Sequence, residues 1–174
     1  MATLAEMKPH DLLVALLLVQ NLLERRSDAF FQPFGITGAQ FNILNLLAYR
    51  EGRMNQSELV DLLLVGKSSI SIVLNRMVRD GLVKREEHEK DRRQVVLALT
   101  AKGRNLWKRI SPRYETIVQE TFRTIPAPRR ARFVEDLKTI HAAFLTEADM
   151  VGSGKPWDFY FNRNNYGARP TSKT

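Results

Sequence analysis

At 174 residues, 44% hydrophobic and 26% charged, the chain suits one packed domain, or a small module with an oligomerisation element. The absence of cysteine excludes disulfides, zinc–thiolate sites and thiol redox sensing, and His10, His88 and His141 lie far apart without metal-ligand spacing, so neither metal nor cofactor is expected. The net charge of +8 is unevenly placed: residues 53–110 hold 13 Lys and Arg against 7 Asp and Glu, while residues 1–52 hold 4 against 5. That excess is the electrostatic footprint of a polyanionic partner for the middle of the chain.

The longest apolar run, residues 12–19, is 8 residues long. A membrane span needs about 20, so the run reads as a buried helix face. The N-terminal MATLAEMKPHD carries Glu6 and Asp11 and lacks the basic opening and cleavage site of a signal peptide, so a cytoplasmic protein is expected. Residues 8–32 form the first predicted helix, with Leu12, Leu16, Val19 and Leu23 on one face and Leu13, Leu17 and Leu18 broadening it. Such a stripe is too wide for a helix with one side in water. Pro33 and Gly35 end it.

Thr37-Gly-Ala-Gln40 is a capping box opening a helix through Tyr49, with Phe41, Leu44 and Leu47 or Ala48 inward. Glu51-Gly52 ends that helix. Asn55 is the next N-cap, with Glu58 in the capping-box position, and a short helix follows with Leu59, Leu62 and Leu63 apolar. Gly66 makes a turn into a Ser-rich helix, residues 67–80, which buries Ile70, Val73 or Leu74, and Met77 and is closed by Gly81. Two amphipathic helices around a Gly turn are a helix-turn-helix, whose second helix enters the major groove of DNA. Residues 82–85 and 94–99 are β-prone runs around the polar segment 86–93, a hairpin with a long tip. Helix resumes at Thr100 and runs past Thr121, interrupted or bent at Pro112. After Pro126 and Pro128 a last helix carries Phe133, Leu137, Ile140 and Phe144 on one face.

The Ser-rich helix presents Ser68, Ser69, Ser71, Ile72, Asn75, Arg76 and Arg79 opposite its buried face. Short hydroxyls permit close approach to phosphates or base edges, and Asn75 and Arg76 are long enough to reach either. Ile72 suits contact with a thymine methyl or half-buried packing. The hairpin adds Lys84, Arg85, Lys90, Arg92 and Arg93, and an Arg on a thin tip fits a narrow minor groove. Asp91 is placed to orient Arg93 by a bidentate pair. Glu86, Glu87 and Glu89 oppose this reading unless they face away from DNA.

ITGAQFNILNLL, GKSSISIVLNRMVRDG and GLVKRE…DRRQVVLALTAKG together closely resemble the MarR family of bacterial transcription regulators over residues 8–148. The wing motif matches at Asp91 and Arg93, and the helix start at Leu99, Thr100 and Gly103. The resemblance implies a fold that is mainly α with a small β wing: a winged helix-turn-helix lobe, and a dimerisation domain of interlocked first and last helices. It implies major-groove contacts from Ser68, Ser69, Ser71, Asn75 and Arg76, and minor-groove contacts from Arg92 or Arg93. Many members also bind small aromatic anions in a crevice beside the dimerisation helices, where His10, Asn45, Tyr49, Arg113 and Tyr114 are the candidates.

The expected domains are dimerisation helices at 1–36 and 101–150, the winged module at 37–100, and an irregular aromatic and basic tail at 151–174, whose role the resemblance does not supply. Leu12, Leu16, Val19, Phe133, Leu137, Ile140 and Phe144 form the expected dimer interface. The first functional reading is a homodimeric, sequence-specific regulator, a repressor on a pseudo-palindromic operator in double-stranded DNA, relieved by a small aromatic or anionic effector. An architectural protein that coats DNA with little specificity is the alternative. Without a nucleophilic Cys, a Gly-rich phosphate loop or a His–carboxylate pair at useful spacing, an enzyme is not expected.

Overall fold

A computed structural model describes residues 7–63, 67–87 and 94–144, and of residues 67–69 the backbone alone. Its elements are α1 (Pro9–Phe31), a 3-10 turn (Gln32–Phe34), α2 (Gly38–Tyr49), β1 (Arg53–Asn55), α3 (Gln56–Leu62), α4 (Lys67–Arg79), β2 (Val83–Glu87), β3 (Val95–Leu99), α5 (Ala101–Phe122) and α6 (Ala127–Phe144). The architecture is mainly α with a small antiparallel sheet, as the sequence predicts. Two compact units divide at Phe41 and Asn42.

In the first unit α1 starts where the Asp11 carboxylate accepts the Lys8 backbone N–H at 2.8 Å. Only Phe31 of this 23-residue helix is buried. Phe31 stacks on Phe41 with ring centroids 4.8 Å apart. The expected Thr37 box forms: the Thr37 N–H donates to Gln40 Oε1 at 2.9 Å, and the Gln40 N–H to Thr37 Oγ1 at 3.3 Å.

In the second unit the core gathers Ile43, Leu44, Leu46 and Leu47 of α2, Leu59 and Leu62 of α3, Ile70, Leu74 and Met77 of α4, Val83 and Leu97 of the sheet, and Ile110 of α5. α2 is buried on all sides from Ile43 to Ala48, not along one stripe as expected, because that stretch is apolar except for Asn45, whose side chain is hydrogen-bonded inside the unit.

The sheet order is β1-β3-β2, with Arg53 opposite Ala98 and Val83 opposite Leu99. The sequence predicts two strands. The third, β1, is three residues long and joins β3 by its backbone, a pairing no short pattern reveals. β2 also runs to Glu87, two residues into the segment expected to be hairpin tip. At Asn55 the expected capping box is absent: its side chain makes no cap hydrogen bond, and Glu58 pairs with Arg50 at 2.9 Å instead. α5 passes Pro112 as one uninterrupted helix.

Candidate nucleic-acid interface

The side of α4 is set by its spacing. Ile70, Leu74 and Met77 recur at i, i+4 and i+7 and are buried, which turns Ser71, Ile72, Asn75, Arg76 and Arg79 outward. Val73 is half-buried, so Leu74 is the core residue of the two offered by the sequence. Ile72 is 73% exposed, which excludes half-buried packing within the chain. The side chains of Ser68 and Ser69, and the hairpin tip with Lys90, Asp91, Arg92 and Arg93, lie outside the described residues.

Three devices fix α4 against the rest of its unit. The first is its C-terminus. Gly81 adopts φ +69°, a left-handed conformation open to glycine at little cost, and the Leu82 N–H donates to Met77 O at 2.9 Å while Gly81 N–H donates to Val78 O at 3.0 Å. The second is the start of α5. Thr100 Oγ1 donates to Gly81 O at 2.6 Å and accepts the Gly103 N–H at 3.0 Å, and Lys102 Nζ donates to Asp80 O at 2.7 Å. The Leu-Thr-x-x-Gly motif thus has a mechanical role: Thr100 caps α5 while α5 caps α4. The third is Arg85 of β2, whose Nη2 donates to Asn75 Oδ1 at 2.8 Å.

The charges around α4 differ in how firmly they are held. Asp80 lies 3.7 Å from Arg76 and 3.9 Å from Arg79, long exposed pairs that cost little to break. On the outer face of the sheet, Glu86 accepts from Lys84 and from Arg53, each at 2.7 Å. The hydrogen bond from Lys84 holds its carboxyl below the ordinary value against some desolvation, and the charges of Arg53 and Lys84 add to the effect. Glu86 therefore stays ionised, its charge offset by Arg53 and Lys84 in exposed pairs that cost little to exchange for a phosphate. Arg53 escaped the sequence reading because the strand that carries it did. Its opposition to Ala98, which also pairs with Lys84, was the missing signal.

Of the candidate effector residues, Asn45 is buried, and its Oδ1 accepts from Trp107 Nε1 at 2.9 Å. Trp107 is a partner the sequence reading did not name. Burial, and secondly the Glu115 carboxylate, push the phenols of Tyr49 and Tyr114 up, which keeps both protonated as hydrogen-bond donors. Arg113 is exposed on α5, and His10 is exposed on α1 in the other unit. Among the described residues no group of three or more His, Asp or Glu is placed to hold a metal ion. No described helix is long and apolar enough to cross a membrane.

Comparison with known proteins adds an independent finding. The model of the MarR family matches residues 34–94. The homoprotocatechuate degradative operon repressor of Escherichia coli is 29% identical over 130 residues, covering 71% of this chain and 84% of that protein. Among solved structures, AbsC, a MarR family transcriptional regulator from Streptomyces coelicolor, is 30% identical with a TM-score of 0.65, covering 88% of this chain and 98% of that one. The organohalide-sensing regulator RdhR-CbdbA1625 in its ligand-free form superposes with a TM-score of 0.73 over 87% of this chain and 90% of that one, at 17% identity, which is a likeness of fold.

Proposed function

The chain belongs to the MarR family of transcriptional regulators, and on that premise we propose that it acts as a homodimeric, sequence-specific repressor reading DNA through α4. The observation that carries the proposal is the outward face of α4: Ser71, Ile72, Asn75, Arg76 and Arg79 are exposed together on a helix anchored at its C-terminus. A coating protein needs only cations. Asn75 and Ile72 are uncharged groups suited to a base edge and a thymine methyl, which favours readout over coating. Ser68 and Ser69 at the start of α4, with Lys84 and Arg92 or Arg93 on the wing, complete the proposed contact set, and Asp91 is proposed to orient Arg93.

The second copy is proposed to cover the apolar faces of α1 and α6. Leu12 and Val19 on α1 and Phe133 and Phe144 on α6 are exposed in the single chain, while Leu16, Leu137 and Ile140 are half-buried. Exposed apolar area of this extent is characteristic of an interface. A small aromatic or anionic effector belongs to the same reading, since a regulator of like fold is organohalide-sensing. Tyr49, Arg113 and Tyr114, with His10 and Asn45, are the groups proposed to meet it.

Asn75→Ala separates readout from coating, because it removes no charge. Titrated on operator and on random DNA at several salt concentrations, it should weaken the operator by about 1–3 kcal/mol and leave random DNA alone. The slope of log K against log salt should stay unchanged, since that slope counts neutralised phosphates. Equal weakening on both DNAs would make Asn75 a backbone contact and remove the main support for readout. Repeating the operator titration with a phenolic anion checks the effector, whose binding should lower the affinity.

A further inference from the structure

We infer that Arg85 decides which base Asn75 can read; the inference rests on the proposed function of α4. Arg85 lies two residues beyond the buried Val83, on the same face of β2 and opposite the core residue Leu97, with its own side chain exposed. From there its guanidinium reaches α4 and donates to Asn75 Oδ1 at 2.8 Å. A guanidinium carries donors only, so the Asn75 atom it meets must be the carbonyl oxygen. The bond is charge-assisted and stronger than a neutral one. It takes one lone pair of the carbonyl and fixes that oxygen towards the wing, so the amide NH2 is the group turned to other partners.

The consequence is a change in the base code. A free Asn amide reads adenine with two bonds, its carbonyl accepting from N6 and its amino group donating to N7. Held by Arg85, Asn75 offers donors. Guanine presents two acceptors side by side, N7 and O6, and adenine only one. Asn75 therefore favours guanine over adenine, and Arg85 acts as a positioning residue through it. Both residues are exposed, so exchanging either leaves the core untouched.

Selection from a library of operators randomised within the half-site tests this on the full-length chain. The position read by residue 75 is the one where Asn75→Ala flattens the base preference. There the unaltered protein should favour guanine over adenine by roughly tenfold. Arg85→Ala should erase or invert that order, and Arg85→Lys, which keeps a cationic donor, should retain it in part. If Asn75→Ala flattens a position whose order Arg85→Ala leaves intact, the positioning role is overturned while readout by Asn75 stands. A uniform loss of affinity in Arg85→Ala without a change of order also overturns it, making Arg85 a phosphate contact. If Asn75→Ala changes no preference anywhere, base readout by that residue fails and the inference falls with it.

Discussion

Replacing Leu137 and Phe144 together by Glu should give a chain that fails to fold, while the unaltered protein should sediment at twice its 20.0 kDa chain mass. No residue of α6 is buried in the single chain, and Phe144 is 73% exposed. Along α1, where Phe31 alone is buried, Leu13, Leu17, Leu18, Leu22 and Leu23 are exposed besides Leu12 and Val19. Covering one Leu or Phe stabilises by about 1.5–3 kcal/mol. Several such side chains on each helix rival the whole stability of a domain, about 5–15 kcal/mol. Two buried carboxylates would have no partner in that interface, so folding as well as association should fail. Sedimentation and circular dichroism at micromolar concentration check both halves. A folded monomer, altered or not, would contradict the obligate dimer.

The second large effect is expected at a single methyl group. A Cβ added to Gly103 would lie 2.0 Å from the carbonyl oxygen of Leu82, a backbone atom with no rotamer to escape into. Gly103→Ala must therefore push α5 away from the corner between α4 and β2. Overpacking of this kind costs about 3 kcal/mol, which corresponds to a loss of roughly 10 °C in Tm. The strain falls where Thr100 and Lys102 hold the end of α4, so operator binding should drop even below the melting temperature. Thermal unfolding and a binding titration at 25 °C give the readouts. An unchanged Tm would mean that this close approach does not hold the module together.

Much of this was legible in the sequence because its signals are local. The Thr37–Gln40 box is written within four residues and forms as expected, and the helix expected to resume at Thr100 does so, with Thr100 capping it through the Gly103 N–H. The outward side of α4 follows from the 3.6 period of Ile70, Leu74 and Met77. What stayed hidden depends on residues far apart in the chain. β1 exists because Arg53, Met54 and Asn55 find Ala98, Leu97 and Val96, a pairing across more than 40 residues. Glu58 abandons its expected cap because Arg50, at the end of α2, offers it a charge. Most consequential for function, Asn75 and Arg85 are each visible as polar residues of the module. That one restrains the other depends on the strand alternation that turns Arg85 towards α4.

The central claim, a dimer that reads base sequence through α4, is tested most directly by mapping the genomic DNA it binds and measuring affinity for the shared motif against random duplex. A two-fold dimer sets its recognition helices about 34 Å apart, so the motif should be an inverted repeat with half-sites about 10 base pairs apart centre to centre. Binding to it should exceed binding to random DNA by ~10³ or more at physiological salt. Coverage of the genome without a shared motif, at affinities indistinguishable from random duplex, would contradict the claim and leave a protein that coats DNA through charge alone.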